Sequence, residues 1–401
     1  MWVMVRLESK TLPMQSQSKM FQVNSSSAST QMVQCQRALR LKWDARNFPR
    51  DFQTSPGNWQ RTFESYTQEQ HPHRGLVIQG QAHVGGHVTL IFSIQDDADS
   101  LLEQGSRGAG MSLNRGVIIE AIGEPGNGSL TINGDAPGSE LHRLVLEELN
   151  TLDSSFGEYD WTLSHVAELP PSQGFGLSAA GAIACGLAIQ RALGVDENLA
   201  RSRAIHIAHR VERRLSGGLG DVAALHSGGV ELRLEPGCPQ LSDGLGGPGA
   251  VLSWYAEIPL VVVWRTTSSQ HTSNYIDDGE WKLAIRAAGE HCLFGLREGQ
   301  WDATRWPELL SKSAEFAERS GLLADSGRID LLHLIGSALA GAGYADGALI
   351  ARLCMLGESA VIVPSEFPIS DDWQEEVVNH LQMRGLGATS TSVAADALNL
   401  H

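Results

Sequence analysis

From Pro170 to Gly194 the chain reads PPSQGFGLSAAGAIACGLAIQRALG, with glycines and a serine set ahead of a run of small apolar residues. The alanines and leucines from Ser178 to Leu193 predict a helix. Arg191 sits in its last turn, where the dipole favours a cation, and Gly194 follows as the terminating residue. A body this apolar has to be buried. At its mouth, Gly174 and Gly176 strip side chains from the segment meeting the helix N-terminus, leaving backbone N–H groups free for something negative. A phosphate suits such a place. A helix terminus contributes only about 0.3–1 kcal/mol when exposed and about 2 kcal/mol when buried, so it positions a phosphate and other groups must supply the rest of the affinity. The plainer reading, a tight strand-to-helix turn, fits the same glycines.

The surrounding chain has 401 residues, 42% of them hydrophobic, enough for two domains with real cores. Its five cysteines lie far apart without metal-binding spacing, which suggests neither a disulfide framework nor a structural metal and fits a reducing cytoplasm. No apolar run reaches the roughly 18 residues of a membrane span, and MWVMVRLESK lacks a secretory apolar core, so a membrane partner is not expected. The first 75 residues hold 10 of the 30 basic and 5 of the 46 acidic residues, so the remainder carries about −21. An acidic body repels a nucleic-acid backbone and argues against such a partner. Phosphate must then be held locally or through a metal.

Along the chain, residues 1–75 are rich in Ser and Gln without a period and read as a mobile extension, with a short helix at Gln36–Trp43. Order begins near Gly75. LVIQGQAHVGGHVTLIFSI alternates as strands do, GSRGAGMSLNRGVIIEAIG leads into a second strand, and LTING closes a hairpin-rich sheet. Helices are expected at Ser139–Leu152 and, capped by Asp196, up to Leu215. GGLGD breaks the latter, and GGVELRLEPG is a strand. A domain boundary falls in SDGLGGPGA, giving residues 76–250 and 251–401. The second half predicts a strand over Val251–Trp264, helices at Asp278–Leu296, Trp306–Ser320 and Ile329–Ala342, and a strand at AVIVP. Strands and helices in this order make an α+β protein.

Two carboxylates stand out. Glu212 lies near a helix end and Asp221 follows beyond the flexible SGGLG, so the pair can converge on one site, an arrangement useful for Mg²⁺ and for a base acting on an alcohol. Taken singly, Glu212 reads as well as a solvated helix-face charge and Asp221 as a turn residue. His206, His209 and Glu212 recur at three-residue steps but drift around the helix and lack an HExxH pattern, which makes a metal site there weak.

Together, three motifs resemble those of the GHMP kinases, the galactokinase, homoserine, mevalonate and phosphomevalonate kinase superfamily. P-x-x-x-G-F-G-x-S-A-A from Pro170 to Ala180 resembles its phosphate-binding motif. Asp221 to Gly229 is similar to its D-x6-G-G element, and ARLCMLGESAVIV, Ala351 to Val363, to its late glycine-containing loop. AHVGGHVTLIFSI, GSRGAGMSLNRGV, GFGLSAAGAIACGLA and GLGDVAALHSGGVELRLEPGCP resemble the archaeal pantoate kinase branch, which shares with this chain the lack of the first serine of the superfamily's usual GLGSS, here Leu177, although the extension has no counterpart.

The resemblance implies a GHMP kinase fold, with a ribosomal-protein-S5-like domain followed by a ferredoxin-like one. It also implies ATP and Mg²⁺ as cofactors and pantoate as the small-molecule substrate, and it leaves a homodimer open. Another small alcohol of the homoserine or mevalonate type, or an inert metabolite-binding relative, stays open too. The implied nucleotide-binding residues are Pro170, Gly174, Phe175, Gly176, Leu177, Ser178 and Ala179. Ser178 and Glu212 would hold Mg²⁺, and Asp221 would orient or accept the acceptor's proton. Arg233, with a fork suited to a carboxylate, is the first choice for the acceptor, ahead of His83, His87, Ser106 and Arg107.

Overall fold

The structure, a computed structural model, describes residues 75–135, 140–266, 279–355, 357–368 and 372–400. The amino-terminal extension and the helix expected at Gln36–Trp43 lie outside the described residues. Two long antiparallel strands, β1 (Ile78–Gln95) and β2 (Gly105–Pro125), form the spine. One edge of β2 pairs with β1 from Gly105 to Gly123. Its other edge is shared, with β4 (Tyr159–Ala167) taking Val117–Pro125 and β5 (Val230–Glu235) taking Gly108–Met111. β3 (Leu130–Gly134) and β6 (Ala250–Trp254) complete a six-stranded sheet. β3 pairs with β4 in parallel, so LTING joins the sheet without closing a hairpin. The β1 register slips between Gly85 and His87, a bulge that re-aims the side chains beside it.

Helices α1 (Glu140–Leu152), α2 (Leu177–Ala192) and α3 (Glu197–Arg214) share one apolar core with residues of β1, β2 and β4. α1 shows the usual one-sided pattern, burying Leu141, Val145 and Leu149 at four-residue steps. α2 is buried nearly all round, as its composition requires. α3 begins where expected because the Asp196 carboxylate accepts from the Asn198 and Leu199 N–H groups. A short helix that the sequence reading lacked, α4 (Asp221–Ser227), fills the interval before β5.

A second, antiparallel sheet has the order β10 (Leu386–Ser392), β7 (Pro259–Arg265), β9 (Ser359–Pro364), β8 (Leu349–Leu353). β7 is buried on both faces. Leu260 and Val262 join a core with the end of β1, α5 (Gly279–Leu296) and α6 (Trp306–Arg319), while Val261 and Val263 join one with α7 (Ser326–Gly341) and α8 (Trp373–Gln382). This both-sided burial explains its unbroken apolar run. The single strand expected over Val251–Trp264 is therefore two strands, β6 ending in the first sheet at Trp254 and β7 opening in the second at Pro259. The chain then returns to the first layer. Val393 bridges to Leu113, the Gly85 N–H donates to Ala397 O at 2.8 Å, and Ala394, Ala397 and Leu398 enter the first core.

Candidate active site

The segment before α2 is fixed from both sides. Gly174 and Gly176 adopt φ of +78° and +64°, conformations open to glycine. A Cβ at Gly174 would lie 2.9 Å from Cys354 O, forcing a shift, and one at Gly176 would lie 3.0 Å from the His87 Cβ, so that packing adds to the strain of a side chain at either. Phe175 is buried, and its carbonyl accepts from the His87 N–H at 2.9 Å. The Ser359 hydroxyl donates to Gln173 O, which ties the loop of the third motif to the first. Gly176 is the N-cap of α2 and no side chain caps that end. The first-turn N–H groups thus open beside a cavity of about 360 Å³ that Gly176, Leu177 and Ser178 line.

Glu212 and Asp221 line the same cavity. Glu212 closes α3 and is 1% exposed; it accepts from Ser178 Oγ at 2.5 Å and from the Gly218 N–H at 2.7 Å. Burial pushes its carboxyl up to about 7, with the charge of Asp221 adding to that and the two hydrogen bonds opposing it. Asp221 opens α4 and keeps 23% of its side chain exposed. Burial would raise its pKa, but the hydrogen bond and charge of His87, with Arg233 beyond, hold it below the usual 3.8. One cavity wall therefore carries a hydroxyl and two carboxylates, one protonated with ease and the other kept ionised.

The remaining predicted residues scatter. Ala179 is buried inside α2 and Pro170 lies outside the cavity lining, where Pro171 and Ser172 stand instead. Of the five acceptor candidates, Ser106 alone lines the cavity. Arg107 turns to Glu235 and Glu290 at 3.1 and 3.4 Å, and His83 to Glu168 at 2.8 Å. His87 and Arg233 are buried behind the wall: His87 bonds Asp221, and Arg233 pairs with Glu231. Arg233 lies against the wall itself, since a Cβ at Gly220 would fall 2.6 Å from its Nε and 2.4 Å from Ser106 Oγ. His209 is engaged with Leu101 O, and no cluster of three or more metal-ligating side chains occurs among the described residues. Sequence reasoning missed Thr89, Met355 and the Ser216–Gly220 turn on the cavity wall, and Glu231 behind it. For Glu231 a signal was available, an acid between Val230 and Leu232 in a buried strand.

The donor set suits a hard cation that brings most of its own ligands. Ser178 and Glu212 offer oxygens, and a lone carboxylate with a hydroxyl is the protein's usual share of Mg²⁺ coordination when phosphates and water complete it. A nucleotide phosphate chain fits the adjoining uncapped helix end.

Residues 142–229 match the family model described as the GHMP kinases N terminal domain. The chain is 29% identical to a pantoate kinase from Thermococcus kodakarensis, over 61% of this chain and 76% of that one. It is 26% identical to a pantoate kinase from Methanocaldococcus jannaschii, over 59% of this chain and 79% of the other. Among solved structures, a phosphotransferase related to the CoA biosynthesis pathway superposes with a TM-score of 0.61 at 23% identity, covering 79% of this chain and 97% of that one.

Proposed function

The chain has the GHMP kinase fold and is similar to archaeal pantoate kinases, and from that premise we propose that it is an ATP-dependent kinase phosphorylating the 4-hydroxyl of pantoate on a route to coenzyme A. One observation carries the reading: Ser178, Glu212 and Asp221, brought from three helices, line one cavity at the uncapped end of α2. In this reading the N–H groups of the Gly174–Ser178 segment bind the nucleotide phosphates. Ser178 and Glu212 hold Mg²⁺, which when bound neutralises phosphate charge that this acidic chain does not itself offset. Asp221 accepts the proton of the pantoate hydroxyl as its oxygen bonds to the γ-phosphorus and the bond to the departing ADP oxygen breaks. Because that transition state is loose, placing the hydroxyl matters more than strong basicity, so a carboxyl held below its usual pKa is adequate. Ser106 and, through the Gly220 backbone, the guanidinium of Arg233 lie on the side we assign to the acceptor carboxylate. The enzyme works in the cytoplasm on a small molecule; among the described residues no helix is long and apolar enough to cross a membrane.

The test is phosphoryl transfer from ATP across a panel of pantoate, homoserine and mevalonate, with Asp221→Asn as control. Pantoate is the expected acceptor. Asp221→Asn is expected to lower kcat by about 100-fold or more with nucleotide affinity nearly unchanged, since it keeps the shape and removes the charge. Preference for another alcohol sinks the substrate assignment, and ATP binding without turnover on any acceptor sinks the kinase.

A further inference from the structure

Behind the cavity wall runs a chain of four ionisable side chains, of which the kinase reading uses only the two ends. The Arg233 guanidinium pairs with Glu231 Oε1, Glu231 Oε1 lies 2.8 Å from His87 Nε2, and His87 Nδ1 lies 2.7 Å from Asp221 Oδ1. Glu231 and His87 are 0% exposed and Arg233 is 1% exposed. Both ring nitrogens of His87 thus meet carboxylate oxygens, which only accept when ionised. A neutral imidazole has one N–H and would leave its other nitrogen lone pair against an oxygen, whereas the imidazolium satisfies both. Charge points the same way. With two carboxylates and one guanidinium, the chain, buried at three of its four members, is neutral only when His87 carries its second proton.

The backbone makes room for this chain. A Cβ at Gly110 would lie 2.8 Å from His87 Nε2 and 2.9 Å from Glu231 Oε1, crowding both ends of the bond between them. One at Gly108 would lie 2.1 Å from Arg233 Nη2. Those glycines belong to the GSRGAGMSLNRGV block, whose side-chain-free positions the nucleotide and metal roles leave unexplained. His87 itself follows the β1 bulge. At the other end, Asp221 Oδ2 and Glu212 Oε2 converge on Gly218, where a Cβ would be 2.6 and 2.9 Å from them. Asp221 therefore spends one oxygen on His87 and turns the other toward the second cavity carboxylate.

We propose that Glu231 is a positioning residue for the reaction: without reaching the cavity, it clamps Nε2 of His87 and holds the ring as the two-proton donor that fixes Asp221. This rests on the kinase reading for its catalytic consequence, but the state of the ring does not. The groups facing His87 are Asp221 from α4, Glu231 with Arg233 beyond it from β5, Ser112 and Gly110 from β2, its neighbour Thr89, and the Phe175 carbonyl. Burial disfavours the imidazolium, yet the two carboxylates outweigh it and hold the ring above its usual 6.5.

The experiment pairs ¹⁵N-histidine NMR of the full chain with kinetics of Glu231→Gln, the His87 signals being assigned by their loss in His87→Gln. At about pH 8, where an unperturbed imidazole is neutral, both wild-type His87 nitrogens are expected as N–H. Glu231→Gln is expected to return one of them to the unprotonated form, to lower kcat by about 10- to 100-fold with the nucleotide KM within about twofold, and to move the alkaline limb of the kcat profile down by about one pH unit or more. A neutral His87 in the wild type overturns the proposal, as does a Glu231→Gln profile that superimposes on it. Should that variant fail to fold, Glu231→Asp keeps the buried charge but withdraws the carboxylate from Nε2, and an undiminished kcat there overturns the proposal equally. A protonated ring in a wild type that phosphorylates no acceptor would instead remove the kinase reading, and with it the catalytic role of Glu231, while the clamped state of the ring would stand.

Discussion

In the proposed kinase, a proton and Mg²⁺ would compete for the same oxygens of Glu212. Its folded pKa, about 7, stands above the ordinary 4.5, so between those values the metal-free folded chain holds a proton that the unfolded chain has released, and stability falls as pH rises through that window. A bound cation displaces that proton. The Mg²⁺ concentration for half-maximal activity is therefore expected to rise as pH falls from about 8 to about 6, and Glu212→Gln is expected to need more Mg²⁺ throughout with a flatter pH slope. Metal titrations of initial rate at several pH values check this; wild-type curves that coincide across the range would count against Glu212 as a ligand. At this scale the sequence was partly legible. Ser178, Glu212 and Asp221 lie beside glycine-rich breaks within 44 residues, where local geometry limits how far apart they can fall. His87 and Glu231 are 144 residues apart, and their contact depends on a bulge and a strand register that no local pattern announces.

Among the elements, α2 depends most on missing side chains. Gly80 of β1 presses against it so closely that a Cβ would meet Ala188 O at 2.2 Å and Ala192 N at 2.5 Å, and Gly186 meets α3, with a Cβ placed 3.3 Å from Ala204 Cβ. Gly80→Ala is expected to push the helix off the sheet and cost about 1–3 kcal/mol, read as a lower chemical-denaturation midpoint at unchanged slope. An unaltered midpoint would mean that the helix yields at no cost. Long elements with a strong period, α1, α3 and α6 among them, were legible within one or two residues because their buried faces repeat. α4 has seven residues, too few to display a period, and β8, α8 and β10 went unread for want of a distinctive turn or run. The β6–β7 region misled because strands of two different sheets follow each other with only Tyr255–Ile258 between them.

For the whole molecule, the returning segment after β10 stitches the two sheets. Val393 packs in the core shared with the second sheet, Ala394, Ala397 and Leu398 in the first, and the Leu400 N–H donates to His83 O at 3.2 Å. Truncation after Ser392 is expected to cost at least about 3 kcal/mol, since burying Val or Leu contributes about 1.5–3 kcal/mol each, and to leave the Gly85 N–H without its partner. Thermal unfolding measures it; an unchanged midpoint would show that the segment adds nothing. The α+β class was readable from the alternation of strand and helix patterns, but this return was not, because VAADALNL, residues 393–400, has neither the length nor the period of a regular element. The segment ahead of α2 shows what such stitching achieves. The oxygens of Gln173 and Phe175 are already committed, one to Ser359 of the second sheet and the other to His87 of the first. Both of those negative dipole ends are occupied, so a phosphate bound there as proposed would find the segment preorganised, with little reorganisation left to undergo.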